Sequence, residues 1–169
     1  TKNKLMIKID DNFEFALKRD ELNLILPKNL AILPQNFFEA SAETEIFYNG
    51  EIKTVKKILS QEGLIDIYCK QEKDEIEFKI QNSAEWVAPI LFASSLLLTE
   101  NGGMISIALN VISNYATDLL KGTPKRKRVV KMKIICEVEK DKKYTKIDFE
   151  GNPDGIKDLT KVIREINNK

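Results

Sequence analysis

Between Trp86 and Thr117 the chain carries a single charge, Glu100, in 32 residues. So long an apolar stretch demands burial, and the remainder of the chain has to be arranged around it. Gly102 and Gly103 divide the stretch. In the second piece, Met104 to Lys121, Ile105, Leu109, Ile112, Ala116 and Leu119 share one stripe, with Asn110, Asn114 and Thr117 elsewhere. That spacing predicts a helix closed by Gly122 and Pro124. The first piece is read as another helix, with Ser83 as its N-cap. A membrane hairpin fits poorly, since a span needs about 20 apolar residues. The first piece offers about 13 uncharged residues and the second about 17, broken by Asn110 and Asn114. Buried helices are the favoured reading and a helix pair at an interface the second. Trp86 and Phe92 are candidate anchors for the core or for a partner.

Around this stretch the pattern changes to a period of two. Leu5, Ile7 and Ile9 alternate with Lys4, Met6 and Lys8, and Phe13 and Phe15 resume the alternation after Asp10, Asp11 and Asn12. Residues 4–17 are therefore expected to form a hairpin. Pro27 and Pro34 limit residues 22–34 to a short or edge strand plus loop. Glu45 to Tyr48 is strand-like, and Ile52, Val55, Ile58 and Leu59 then fall on one helical face that stops at Gly63. A second hairpin is expected from Ile65, Ile67 and Cys69 through a turn at Gln71–Asp74 to Ile76, Phe78 and Ile80. A third joins Val130, Met132, Ile134, Cys136 and Val138 to Thr145, Ile147 and Phe149, across a turn at Lys140–Lys143. Asn152 and Pro153 start a terminal helix whose apolar face is Ile156, Leu159, Val162, Ile163 and Ile166. Thr44–Gly50 and Thr145–Gly151 share three identities in seven residues, each before an amphipathic helix. Duplication is one reading. The simpler one is that any strand ended by Gly before a helix looks like this.

These elements define an α+β protein: antiparallel hairpins packed with about four helices. The chain divides into a mixed region with hairpins, 1–83, and a helix-helix-strand-strand-helix region, 84–169, as two parts or as one compact domain. Its 169 residues, 43% hydrophobic and 31% charged, suit a chain with a real core. There is no His, which excludes Ser–His–Asp and Cys–His catalysis and His-ligated zinc. Cys69 and Cys136 alternate with Ile and Val, as small core residues do. Carboxylates cluster at Asp10–Asp11, Asp20–Glu21 and Glu72–Asp74–Glu75–Glu77, all on turns or polar strand faces, where nothing demands converging acid–base or metal chemistry. No G-x-G-x-x-G or G-x-x-x-x-G-K-[ST] run is present, so no cofactor, metal or nucleotide is expected. The opening residues lack an apolar signal segment, and the chain is read as cytoplasmic with reduced thiols.

The net charge of +1 conceals an imbalance. Residues 1–100 carry 12 cations against 17 anions, and 101–169 carry 15 against 9. The basic side concentrates at Lys121, Lys125, Arg126, Lys127, Arg128, Lys131 and Lys133. That strip could neutralise phosphates with steep salt dependence. No aromatics interleave for base stacking. It also follows a helix C-terminus, where cations are favoured. A solvated face is the plain reading. The candidate partner-binding residues are Trp86, Phe92, Lys125, Arg126, Lys127, Arg128 and Lys131.

The stretches GGMISIALNVISNYATDLLKG, VVKMKIICEV and TKIDFEG with its following helix place Gly-Gly, long helix, basic turn, long strand, second strand and helix in that order. This order resembles the effector-associated constant components, small accessory modules encoded beside bacterial effector enzymes in conflict and defence systems. The resemblance covers about 65 of the 169 residues, and the N-terminal half departs from it. It implies a non-catalytic adaptor with no active-site residues to carry over. The expected function is a non-enzymatic protein-interaction or regulatory subunit of a bacterial effector or defence system, docking an effector or itself. The alternative is nucleic-acid or anionic-surface binding through 121–133; contact with a membrane surface is not favoured.

Overall fold

The computed structural model describes residues 5–11, 13–26, 28, 30–61, 70–71, 78–79, 86–138 and 143–168. Its centre is a mixed sheet. The strands are β1 (Met6–Asp10), β3 (Leu30–Leu33), β7 (Trp86–Val87), β8 (Ile90–Ala93), β9 (Val130–Val138) and β10 (Lys143–Gly151). The order is β1-β10-β9-β8-β3, with β7 also lying along β9. Strands from both sides of residue 84 share this sheet. Two small pairs stand apart from it: β2 (Leu24–Ile25) with β5 (Lys70–Gln71), and β4 (Tyr48–Asn49) with β6 (Phe78–Lys79).

The α+β class is as expected, but the apolar stretch divides differently. Its first piece is half strand and half short helix: β7 and β8 supply its strand residues, and the expected helix is confined to Ser95–Glu100. β8 runs parallel to β9 and is buried at every position. A strand enclosed on both faces has no polar alternation, so its sequence reads like that of a buried helix. Pro89, which cannot donate to the ladder, separates β7 from β8. The helix that follows, α3 (Ser95–Glu100), is short and is capped by Ser94, whose Oγ accepts from Leu97 N at 3.1 Å. Ser83, the expected cap, lies outside the described residues.

The next helix, α4 (Gly102–Leu119), includes both glycines in its first turn. With α3 it forms the crossover that a parallel β8–β9 pair requires. Its inner stripe is Ile105, Ala108, Leu109, Ile112, Ser113 and Ala116. Leu119 is exposed, and Leu120 turns inward in its place. Ser113, the stripe's polar member, donates to Pro153 O at 2.9 Å and so is not left unsatisfied.

Residues 4–17 do not form a hairpin. β1 pairs with β10 instead, Ile7 opposite Phe149, and Phe15 opens a helix, α1 (Phe15–Glu21). Three residues of alternation were outweighed by a run of strong helix formers, Ala16 to Arg19 and Glu21. Thr44–Gly50 is a 3-10 turn and the two-residue β4, whereas Thr145–Gly151 belongs to a nine-residue strand. The two heptapeptides do not adopt the same structure. α2 (Ile52–Gln61) buries Ile52, Val55 and Leu59. The terminal segment starts as a 3-10 turn, Pro153–Asp158, capped by Asn152, and continues as α5 (Leu159–Asn167). The hairpin expected at 65–80 lies outside the described residues apart from β5 and β6, as do the helix stop at Gly63, the 72–77 acidic cluster and the turn at 140–142.

Helices α2 to α5 cover one sheet face, burying Ile32, Leu91, Ile134, Ile147 and Phe149 among others. On the other face, α1 and the loop after β3 bring Phe15, Phe37 and Ile46 over Ala31, Leu33, Phe92 and Ile135. This second cover buries Ile135, which alternation sets on the same strand face as Lys131 and Lys133.

Candidate functional site

The aromatic cover ends partway across the second face. Phe15 stacks on Phe92 at 4.9 Å and on Phe37 at 5.3 Å, and Tyr144 closes on Phe15 at 4.9 Å. Phe13 and Phe38 meet edge-on at 5.5 Å at the margin. Lys146 Nζ stands 5.1 Å from the Phe38 ring and 5.3 Å from Phe13, and Lys133 Nζ is 5.7 Å from Phe38. Between these lysines lies the Asp148 carboxylate, 2.8 Å from Lys133 and 3.6 Å from Lys146. A ring face that attracts cations and a carboxylate that pairs them together fence off the covered half.

Beyond that fence is a groove of about 650 Å³. Its floor follows from the strand register. Lys8, Asp148 and Lys133 lie in one cross-strand row, and Met6, Glu150, Lys131 and Val87 in the next. Charges alternate along each row, as cross-strand pairs favour. One wall is the loop after β3, carrying Gln35, Asn36 and Phe38, with Phe47 beside them. Asn36 builds this wall: its Oδ1 accepts from Phe47 N at 3.0 Å and its Nδ2 donates to Glu45 O at 3.0 Å. Gln35 N donates to Phe47 O at 2.8 Å. Among the described residues, Gln35 Oε1 is buried without a hydrogen-bond partner, an acceptor in the wall that lacks a donor.

The expected contact residues separate into three places. Trp86 and Phe92 are core side chains, 5% and 2% exposed, which corrects their reading as partner anchors. Trp86 Nε1 donates to Glu51 and the indole packs at 5.5 Å from Tyr115, tying β7 to α2 and α4. Burial, and the Glu51 charge next, raise the Tyr115 phenol above its usual pKa. Lys125, Arg126 and Lys127 form a 3-10 turn and are exposed. Arg128 turns back, donating from Nε to Thr123 O at 2.7 Å and from Nη2 to Lys121 O at 3.0 Å. It braces the chain leaving α4, where carbonyls need donors. Lys131 belongs to the groove floor. The strip is continuous in sequence, but in space the 3-10 turn at Lys125–Lys127 precedes the strand that carries Lys131 and Lys133 into the groove.

Burial pushes the Cys136 thiol up to about 12, so it is no nucleophile at neutral pH. Among the described residues no three His, Cys, Asp or Glu side chains converge to hold a metal ion. Nor does any described helix have the length and apolarity to cross a membrane. Glu137 is committed elsewhere: its Oε1 accepts from Ser95 N at 3.0 Å and from Ser95 Oγ at 2.8 Å, at the start of α3.

Sequence reasoning placed Lys131 at the site and missed Lys8, Asp148, Glu150, Phe38 and Phe47. The first three occupy alternate positions on strands recognised in the sequence, but their convergence depends on β1 pairing with β10, which local pattern does not disclose. Comparison with protein-family models, with curated proteins and with solved structures found no match to this chain.

Proposed function

We propose that this protein is a non-enzymatic interaction subunit, cytoplasmic and bacterial, that docks a partner protein in the groove on the second sheet face. One observation carries this reading: the groove combines aromatic walls with a floor of alternating charges. Such a surface supplies apolar area, and the charges fix register and orientation. An adaptor role also agrees with the resemblance of residues 102–166 to effector-associated constant components.

The test uses the purified products of the neighbouring genes as partners. Phe47→Ser and Lys131→Glu should each weaken binding at least about tenfold, the range of a moderate interface residue. Neutralising Lys125, Arg126 and Lys127 together should leave binding unchanged. The opposite pattern, loss only with the 125–127 variant and a steep salt slope, would transfer the function to anion binding. No binding to any neighbour, or binding indifferent to the groove variants, would refute the groove reading.

A further inference from the structure

The two margins of the main sheet are finished differently. β3 is buried at all four positions, is followed by Pro34 and is packed on both faces. β1 forms the opposite margin, and among the described residues its only strand neighbour is β10. Its register with β10 is continuous from Met6 to Asp10, without bulge or proline. Leu5, Met6 and Ile9 are 53%, 43% and 49% exposed. Sheet edges are usually blunted by proline, a bulge, a covering segment or charged side chains; β1 carries Lys8 and Asp10 but, among the described residues, none of the other devices, and a regular, largely apolar edge is a template for another strand.

We propose that two copies of this chain join β1 to β1, antiparallel about a two-fold axis at Ile7, so that the two sheets become one. The inference goes beyond the groove reading and does not depend on it. The occupant follows from the self-complementarity of the strand. In a continuous sheet, residues opposite one another share a face, so only registers that oppose residues of like parity are allowed. Centring on Ile7 sets Ile7 against its copy, Leu5 against Ile9, and Met6 against the aliphatic stem of Lys8. Every apolar residue of the edge then meets an apolar surface, and no like charges meet. Centring on Lys8 opposes two lysines, centring on Ile9 brings Ile7 to Asp11, and centring on Met6 leaves Ile9 with no apolar match. Equal parity has a second consequence: whichever N–H and C=O groups β1 turns outward meet the same set on the copy. A two-fold contact of this kind is closed, and with β3 buried on both faces and followed by Pro34 at the other margin it predicts dimers and nothing larger.

Sedimentation equilibrium of the full chain alone, across the micromolar to millimolar range, tests this. The wild type should show a monomer–dimer equilibrium. Leu5→Glu and Ile9→Lys should each weaken it about tenfold, since each disrupts two symmetry-related apolar pairs. The double variant places opposite charges at both of those positions and should recover the wild-type constant to within about threefold. Recovery is specific to this register. Circular dichroism checks the fold, and Ile9→Thr replaces Ile9→Lys if the latter lowers the melting temperature. A wild type that stays monomeric at millimolar concentration overturns the proposal, as do species larger than a dimer or a double variant no better than the singles. Because mass is read without any partner, these outcomes are independent of whether the groove binds one.

Discussion

The helical face and the aromatic face of the main sheet are closed by different means. Four helices, α2 to α5, seal the first with aliphatic side chains drawn from most of its strands. One seven-residue helix and an irregular loop cover only part of the second, with phenylalanines in place of helices. Aromatic rings bury a large area per residue, so a few of them can roof a sheet that no long helix reaches. The same economy leaves the rest of the second face open, and there the floor becomes charged. A face sealed by helices is silent at the surface, whereas a partly roofed one retains a groove.

If the aromatic roof is as integral as the helical layer, truncating it should cost as much. Phe15→Ala, removing the ring that contacts Phe37, Phe92 and Tyr144, should destabilise the fold by about 3–5 kcal/mol. Leu109→Ala, within the stripe of α4, should cost about 2–5 kcal/mol. Urea denaturation of both variants provides the comparison. A loss under about 0.5 kcal/mol for Phe15→Ala, the range of surface changes, would reduce the roof to an ornament on the sheet. Glu137→Ala comes next. It strips two donors at the start of α3 of their acceptor, and a loss of about 1–3 kcal/mol is expected.

The sequence disclosed the helical face far better than the aromatic one. The stripes of α2, α4 and α5, the alternation of β9 and β10 and the cap at Asn152 are local signals, each readable within a dozen residues. Phe13 and Phe15 carry a period of two that points to a strand instead of a helix, and Phe37 and Phe38 carry none, because the four converge from a helix, the residues before it and a loop. β8 was hidden for another reason: burial on both faces removed the alternation that would have marked it. The groove was the least legible, since it exists only through pairing between β1 and β10, some 140 residues apart in the chain. Lys131 was found by its charge. Asp148 and Lys8 were not, because an isolated charge on a strand normally signals only solvent.

Cys136 offers a pH test confined to the helical face. Its thiol is pushed from 9.0 to about 12 by burial, so the folded state retains a proton that the unfolded chain releases. The contribution is complete below pH 9 and is lost as pH rises from about 9 to 12, at about 1.4 kcal/mol per pH unit. Cys136→Ala removes this slope and lowers stability at neutral pH through the lost packing. The difference between the two denaturation curves should therefore narrow with rising pH. A constant difference would show that the thiol ionises without penalty and that the helical face is not closed to water.

The smallest expected effect distinguishes the open half from both closed regions. Asp148 is partly exposed and pairs with Lys133 and Lys146, so Asp148→Asn removes charge pairing that solvent already screens. The expected loss is about 0–1 kcal/mol and should shrink further in high salt. Removing the carboxylate also leaves Lys133 and Lys146 near the Phe38 ring with no anion between them, so the local field of the groove turns positive. A partner that docks through complementary charge should register that change even though the fold does not. The prediction is thus a separation of readouts: stability within 1 kcal/mol of the wild type, with altered salt dependence of binding. Loss of several kcal/mol would instead mean that Asp148 holds the sheet together, and the open half would then belong to the core and not to a surface built for contact.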